Sequence, residues 1–171
     1  MVRRVPDRIG KDPVTFGRAE IEGILPHRGR WGLLDSVLVH DRTAFGNIVL
    51  TNEICGGHVL AGVPLAPGCI WYDAAAQLMG VVLSLDNEVL SRLPPGGILA
   101  VRKYGEAIFK GPLRPGDEIV VEASTEFEFL DRHGLFMITG GPFNVKILGE
   151  SACRVKVGSV TLIPVSREDV E

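Results

Sequence analysis

Residues 57–83 read Gly57-His58-Val59-Leu60-Ala61-Gly62-Val63-Pro64-Leu65-Ala66-Pro67-Gly68-Cys69-Ile70-Trp71-Tyr72-Asp73-Ala74-Ala75-Ala76-Gln77-Leu78-Met79-Gly80-Val81-Val82-Leu83. One histidine is followed by a loop punctuated by proline and glycine, then by a long apolar run. Residues 69–85 hold no proline and only one glycine. Ala, Leu and Met favour helix, so this segment is expected to form a helix of about 17 residues, about 25 Å long. Its faces are nearly all apolar, and such a helix is either buried or spans a bilayer. Spanning takes about 20 apolar residues, whereas this run is shorter and carries Asp73 and Gln77. Burial inside a protein is the reading.

The polar exceptions are ordered. Asp73, Gln77, Gly80 and Ser84 follow helical spacing and share one stripe. A buried carboxylate without a partner is costly, so something is expected to meet Asp73. Pro67 and Gly68 supply no side-chain cap. The backbone N–H groups that open the helix are therefore left without a local acceptor. Bare N–H groups at the positive end of a helix dipole suit negative charge developing on an acyl oxygen. Gly68 also allows a ligand to approach the backbone closely.

Working outward, 171 residues suit one domain, with residues 1–17 and 166–171 expected to be poorly ordered. A hydrophobic content of 46% with 23% charged residues is that of a globular protein. The net charge of −3 gives no bulk affinity for nucleic acid. Cys55, Cys69 and Cys153 are isolated and odd in number. Each is expected to be a small core hydrophobe, in keeping with a reducing cytoplasm rather than a disulfide framework. The basic start MVRRVPDRIG is followed by no apolar run, so no signal peptide is expected. No P-loop, nucleophile elbow or metal-spaced cluster is visible, and neither a metal nor an organic cofactor is called for.

Upstream of the central stretch, residues 18–25 read as a short helix ended by Pro26, and residues 37–40 and 44–51 as strands around the Asp41-Arg42 turn. After the breaker Pro94-Pro95-Gly96-Gly97 come four β segments. Residues 98–102 are continued by 106–110 beyond Gly105; then come 118–130, 135–148 interrupted near Gly140-Gly141-Pro142, and 151–165. In the second, apolar residues alternate with Glu122, Glu126 and Glu128, which marks one wet face. Long antiparallel strands that must cover a helix apolar all round imply an α+β fold, a curved sheet wrapped around a buried central helix.

His58 and the run Pro67-Gly68-Cys69-Ile70-Trp71-Tyr72-Asp73-Ala74-Ala75-Ala76-Gln77-Leu78-Met79-Gly80 resemble the hotdog-fold 3-hydroxyacyl-(acyl-carrier-protein) dehydratases. The Pro-Gly-Cys start and the aspartate on the helix look most like the 3-hydroxydecanoyl branch. Leu25-Pro26-His27-Arg28 with Leu33-Leu34-Asp35 looks more like the other bacterial branch, and Gly105-Glu106-Ala107-Ile108-Phe109-Lys110-Gly111-Pro112-Leu113 is similar to the strand after the family's helix. The loop from His58 to Pro67 is one residue longer than is usual in the family, and Val59 stands where an aromatic residue usually follows the histidine.

The resemblance implies a hotdog fold and a homodimer or dimer-based oligomer in which His58 of one chain meets Asp73 of the other. It makes His58 and Asp73 the catalytic pair and the N–H groups at Gly68 and Cys69 the donors to the thioester carbonyl. Gln77 is expected to be an orienting hydrogen-bonder beside the substrate. The substrate would be a 3-hydroxyacyl phosphopantetheine thioester on an acyl carrier protein, dehydrated to the enoyl thioester. Imidazole suits removal of the C2 proton because its unperturbed pKa of about 6.5 lies near working pH. A carboxyl set in an apolar wall suits protonation of the departing hydroxyl. A thioesterase of the same fold, or a subunit that binds acyl chains without turnover, is the alternative. Arg102, Lys103, Lys110 and Arg114 are candidate carrier contacts, while His27, His40 and His133 are expected to be structural or solvated.

Overall fold

The computed structural model describes residues 2–4, 12–40, 42–132 and 135–166. The chain opens with β1 (Val2–Arg4), β2 (Val14–Gly17) and helix α1 (Arg18–Ile24). It continues through β3 (Ser36–His40), β4 (Thr43–Val49), the single turn α2 (Asn52–Cys55), and the short hairpin of β5 (Val59–Leu60) and β6 (Val63–Pro64). Then come α3 (Ile70–Leu83), α4 (Asn87–Ser91), β7 (Ile98–Tyr104), β8 (Ala107–Phe109), β9 (Glu118–Ser124) and β10 (Glu126–Arg132). The last four strands are β11 (Leu135–Gly140), β12 (Phe143–Ile147), β13 (Cys153–Val157) and β14 (Val160–Val165).

α3 is the expected central helix, and its apolar surround is buried as the composition requires. Trp71, Leu78, Met79, Val81 and Leu83 are sealed from solvent, and only Tyr72, Asp73 and Ala76 are half-exposed. Those three share the side of the first two turns. Around the helix lie two antiparallel sheets, one ordered β1-β10-β11-β14-β7 and the other β2-β3-β4-β9-β12-β13-β8.

Each of the four β segments read from the sequence contributes one strand to each sheet. β8 and β7 meet at Gly105, β9 and β10 at Thr125, β12 and β11 at Gly141-Pro142, and β13 and β14 at Gly158-Ser159. The four breakpoints are adjacent in space. Gly105 N–H donates to the Ser159 carbonyl at 2.8 Å, and Gly158 N–H donates to the Glu106 carbonyl at 2.7 Å. At Gly141, where φ is 130°, a Cβ would lie 2.6 Å from the Gly158 carbonyl oxygen, so only glycine fits that crossing. The sheet thus bends along one line, and its concave side takes the helix.

The expected single strand over 118–130 is therefore two. Burial alternates without a change of parity from Ile119 through Val121, Ala123, Thr125 and Phe127 to Phe129. A side-chain period of two reports which face is wet, not which sheet the strand is in.

The amino-terminal expectation also needs correction. Of residues 1–17, expected to be poorly ordered, 2–4 and 14–17 are paired strands, with Arg3 opposite Phe127 and Phe16 opposite Val37, while residues 1 and 5–11 lie outside the described residues. An open sheet edge recruits short extended segments that carry no strong signal of their own. The expected fraying at the other end falls mostly on 167–171, and Asp41 and His133 likewise lie outside the described residues. Of the cysteines, Cys55 is a core residue as expected, Cys153 is half-buried and Cys69 is exposed. Among the described residues no helix is long and apolar enough to cross a membrane.

Candidate active site

The site begins with the loop before α3. The β5–β6 hairpin turns at Ala61 and Gly62, both with positive φ (50° and 78°), as a tight two-residue turn requires. The hairpin absorbs the length of the loop and closes on His58. Leu65 N–H donates to the His58 carbonyl at 2.9 Å, and His58 Nδ1 lies 3.3 Å from the Leu65 carbonyl oxygen. A carbonyl only accepts, so Nδ1 carries the hydrogen and Nε2 is left as the basic nitrogen. The ring is solvent-exposed in the isolated chain.

At the head of α3 the cap residue Cys69 offers no side-chain bond. Ile70 N–H reaches the Pro67 carbonyl at 3.3 Å, whereas the N–H groups of Gly68 and Cys69 have no acceptor among the described residues. The ring of Phe109 closes over Gly68, where a Cβ would lie 3.2 Å from Phe109 Cζ. A side chain at position 68 would have to displace that ring. The bare donors expected at the helix start are therefore present, under an aromatic cover.

Asp73 lies one turn further on and lines a cavity of about 250 Å³ that follows α3 from Asp73 past Ala76 and Gly80 to Leu83 and Ser84. At 1.5 Å per residue that wall is about 16 Å long. The cavity is mostly apolar, and Leu90 and Leu93 also line it. His58 is not part of this cavity's wall, so one chain alone does not bring His58 and Asp73 together.

Gln77 has a different task from the one expected. It is 1% exposed; its Oε1 accepts from Leu33 N–H at 2.9 Å, and its Nε2 donates to the Trp31 carbonyl at 2.7 Å. The amide clamps the 31–33 loop to the helix and takes no place in the cavity wall. From α1, Arg18 holds the same loop by donating to the carbonyls of Gly29 and Leu34, each at 3.2 Å.

Two residues at the site were not singled out from sequence. Tyr104 Oη donates to Asp73 Oδ1 at 3.0 Å. His27, expected to be structural or at the surface, lines the same cavity as Asp73, and its buried Nδ1 has no hydrogen-bond partner among the described residues. Tyr104 is 31 residues from Asp73 in the chain, and no periodicity links such positions. For His27 the available signal was its place in Leu25-Pro26-His27-Arg28.

Burial holds the His27 imidazole below its ordinary pKa of 6.5, a pull only partly offset by the Asp73 carboxylate and reinforced by Arg28. The unfolded chain therefore binds the extra proton, and this contribution to stability is present above pH 6.5 and lost as pH falls below it. The melting temperature should accordingly fall less between pH 7.5 and 5.5, taken as about one unit either side of an unperturbed histidine, in His27→Gln than in the parent. An equal fall in both proteins would show that His27 does not contribute.

Residues 25–147 match the FabA-like domain. The chain belongs to the FabA-like family. Its FabA-like relatives include the 3-hydroxyacyl-[acyl-carrier-protein] dehydratase FabZ of Pectobacterium atrosepticum, 31% identical over 85% of this chain and 93% of that protein. The FabZ of Sodalis glossinidius is similar to the same extent. These relatives bear the general 3-hydroxyacyl name rather than the 3-hydroxydecanoyl one. Among solved structures, the dehydratase heterocomplex ApeI:P from Xenorhabdus doucetiae superposes with a TM-score of 0.61 at 12% identity, over 88% of this chain and 93% of that one. Zebra fish thioesterase superfamily member 2 superposes with a TM-score of 0.54 at 11% identity, over 85% of this chain and 94% of that one. At such identities the likeness is one of fold, and it confirms the hotdog architecture expected from the resemblance.

Proposed function

We propose that this FabA-like protein dehydrates a (3R)-hydroxyacyl thioester carried on an acyl carrier protein to the trans-2-enoyl thioester, in fatty acid or related acyl-chain assembly in the cytoplasm. The observation that carries the reading is the line of features along α3: uncapped N–H donors at Gly68 and Cys69, then Asp73, then a mostly apolar cavity. A thioester carbonyl placed at the donors has its negative charge stabilised as the C2 proton leaves; one such donor is typically worth about 3 kcal/mol. His58 Nε2 takes that proton, and the Asp73 carboxyl, in its protonated form, gives its proton to the C3 hydroxyl, so that the C3–O bond breaks, water leaves and the C2–C3 double bond forms. The acyl tail occupies the cavity. The relatives named as dehydratases support this assignment.

The two catalytic groups meet across a homodimer in this reading. β7 and β8 are the outer strands of their sheets on the same side of the bend. Val101 and Phe109 on that edge, and Val59, Leu60 and Val63 on the hairpin beside His58, are exposed. An open strand edge next to exposed apolar side chains is a surface that a second copy covers. The arrangement would carry His58 of one protomer to the Asp73 cavity of its partner.

The deciding experiment supplies 3-hydroxyacyl carrier protein and follows ultraviolet absorbance and free thiol together. A conjugated enoyl thioester without thiol release is the expected product. Thiol release without the enoyl product would make the protein a thioesterase, and a bound acyl chain with no turnover would make it an acyl-binding subunit.

The carrier is acidic, and Arg102, Lys103, Lys110 and Arg114 are all exposed around the β7–β8 edge and the turn after it. Reversing three of these charges should raise KM for the carrier-linked substrate about tenfold or more, with little change for a short thioester analogue. Equal changes for both substrates would remove the docking role.

A further inference from the structure

Tyr104 ends β7, immediately before the sheet bends at Gly105. Its backbone is fixed on one side, since Tyr104 pairs with Val160 and Gly105 N–H donates to the Ser159 carbonyl at 2.8 Å. From that anchor the phenol crosses to α3. Its ring packs against Tyr72 with centroids 4.8 Å apart at 51°, and its Oη donates to Asp73 Oδ1 at 3.0 Å. The other oxygen, Oδ2, has no protein partner among the described residues. His27 faces Asp73 from the loop after α1 and Tyr72 flanks it from the helix itself; neither bonds to the carboxyl.

We infer that Tyr104 is a positioning residue for the reaction proposed above: it ties one oxygen of Asp73 to a rigid strand and leaves the other as the single oxygen that can meet the C3 hydroxyl. The inference rests on the reading of Asp73 as a catalytic group. A carboxylate on an aliphatic stem rotates about its last bond, and its two oxygens interchange. With Oδ1 held by a phenol from a strand fixed by the sheet, that rotation is suppressed and Oδ2 has one direction. Tyr104 is suited to hold this bond throughout the working pH range, because burial first, then the Asp73 charge and the bond itself, push its phenol above the ordinary tyrosine value. It remains a donor and takes no proton from the substrate. Misplacement of a catalytic group by a fraction of an ångström lowers the rate without weakening ground-state binding, so the loss falls on kcat.

The test is Tyr104→Phe, which keeps the ring against Tyr72 and removes only the donor. Expected is a fall in kcat of about tenfold to a hundredfold, with KM within about twofold of the parent. An unchanged kcat, or a rise in KM with kcat intact, would overturn the inference. If the phenylalanine variant does not fold, a ring-fluorinated tyrosine at position 104 retains shape and donor but gives up its proton at lower pH. The alkaline limb of its kcat profile should then move to lower pH, and an unmoved limb would count against the role. Asp73→Asn run alongside separates the two levels: a parental rate there removes the reading of Asp73 itself, whereas a large loss there with a silent Tyr104→Phe removes only the positioning role.

Discussion

His58→Ala and Asp73→Asn should each lower kcat for carrier-linked dehydration by about 10²- to 10⁴-fold, the usual contribution of a positioned general base or acid. The more telling result is expected when the two inactive proteins are mixed and allowed to exchange subunits. The hairpin presents His58 to solvent, and Asp73 faces a cavity that excludes it. In the two-fold dimer proposed above, each site would take His58 from one protomer and Asp73 from the other. A mixed dimer of the two variants therefore holds one site with both lesions and one with none. At equal mixing half the dimers are mixed, so activity should recover to about a quarter of the parental value. No recovery, with exchange shown by differently tagged subunits, would place both groups of each site in one chain. Unchanged rates in both single variants would remove the site assignment altogether.

Trp71→Ala should destabilise the protein by about 3–5 kcal/mol, the range for truncating a buried tryptophan. Trp71 is 1% exposed and among the largest side chains sealed in the core, on the first turn of α3. Native domains hold only about 5–15 kcal/mol in all. The variant should thus lower the urea midpoint severely, and the melting temperature by roughly 6–20 °C at the usual 2–4 °C per kcal/mol. Leu148→Ala is the control, because Leu148 is 57% exposed and its loss should cost within about 0.5 kcal/mol. Trp71 shares its turn with Asp73, so a folded remnant of the tryptophan variant should also be slow. A Trp71→Ala protein as stable as Leu148→Ala would mean that α3 is not the element around which the sheet closes.

Much of this architecture is local in origin and was legible. The helix follows from a run of good helix formers with apolar residues on every side, and its uncapped start follows from Pro67-Gly68. The candidates His58 and Asp73 and the N–H groups of Gly68 and Cys69 stand out in the sequence because they lie within one stretch of chain. Gln77 shows where such legibility stops. Its helical spacing from Asp73 placed it on the expected stripe, but the partners that claim its amide, Trp31 and Leu33, come from a loop more than forty residues upstream. A polar group on a buried helix must find a partner, but spacing alone cannot say whether that partner is substrate or backbone.

By itself the sequence determined the buried rod with its uncapped start, the place of Asp73 on it, and the wet and dry faces of the strands, because propensity, capping and side-chain period act over a few residues. Only the tertiary structure decided that each long β segment bends into a second sheet at one shared line, that β1 and β2 complete the sheet edges, and that Tyr104 and His27 stand at Asp73. The bend leaves side-chain parity unchanged through Thr125, and the contacts to Asp73 join positions set beside one another by sheet register and loop packing rather than by chain distance.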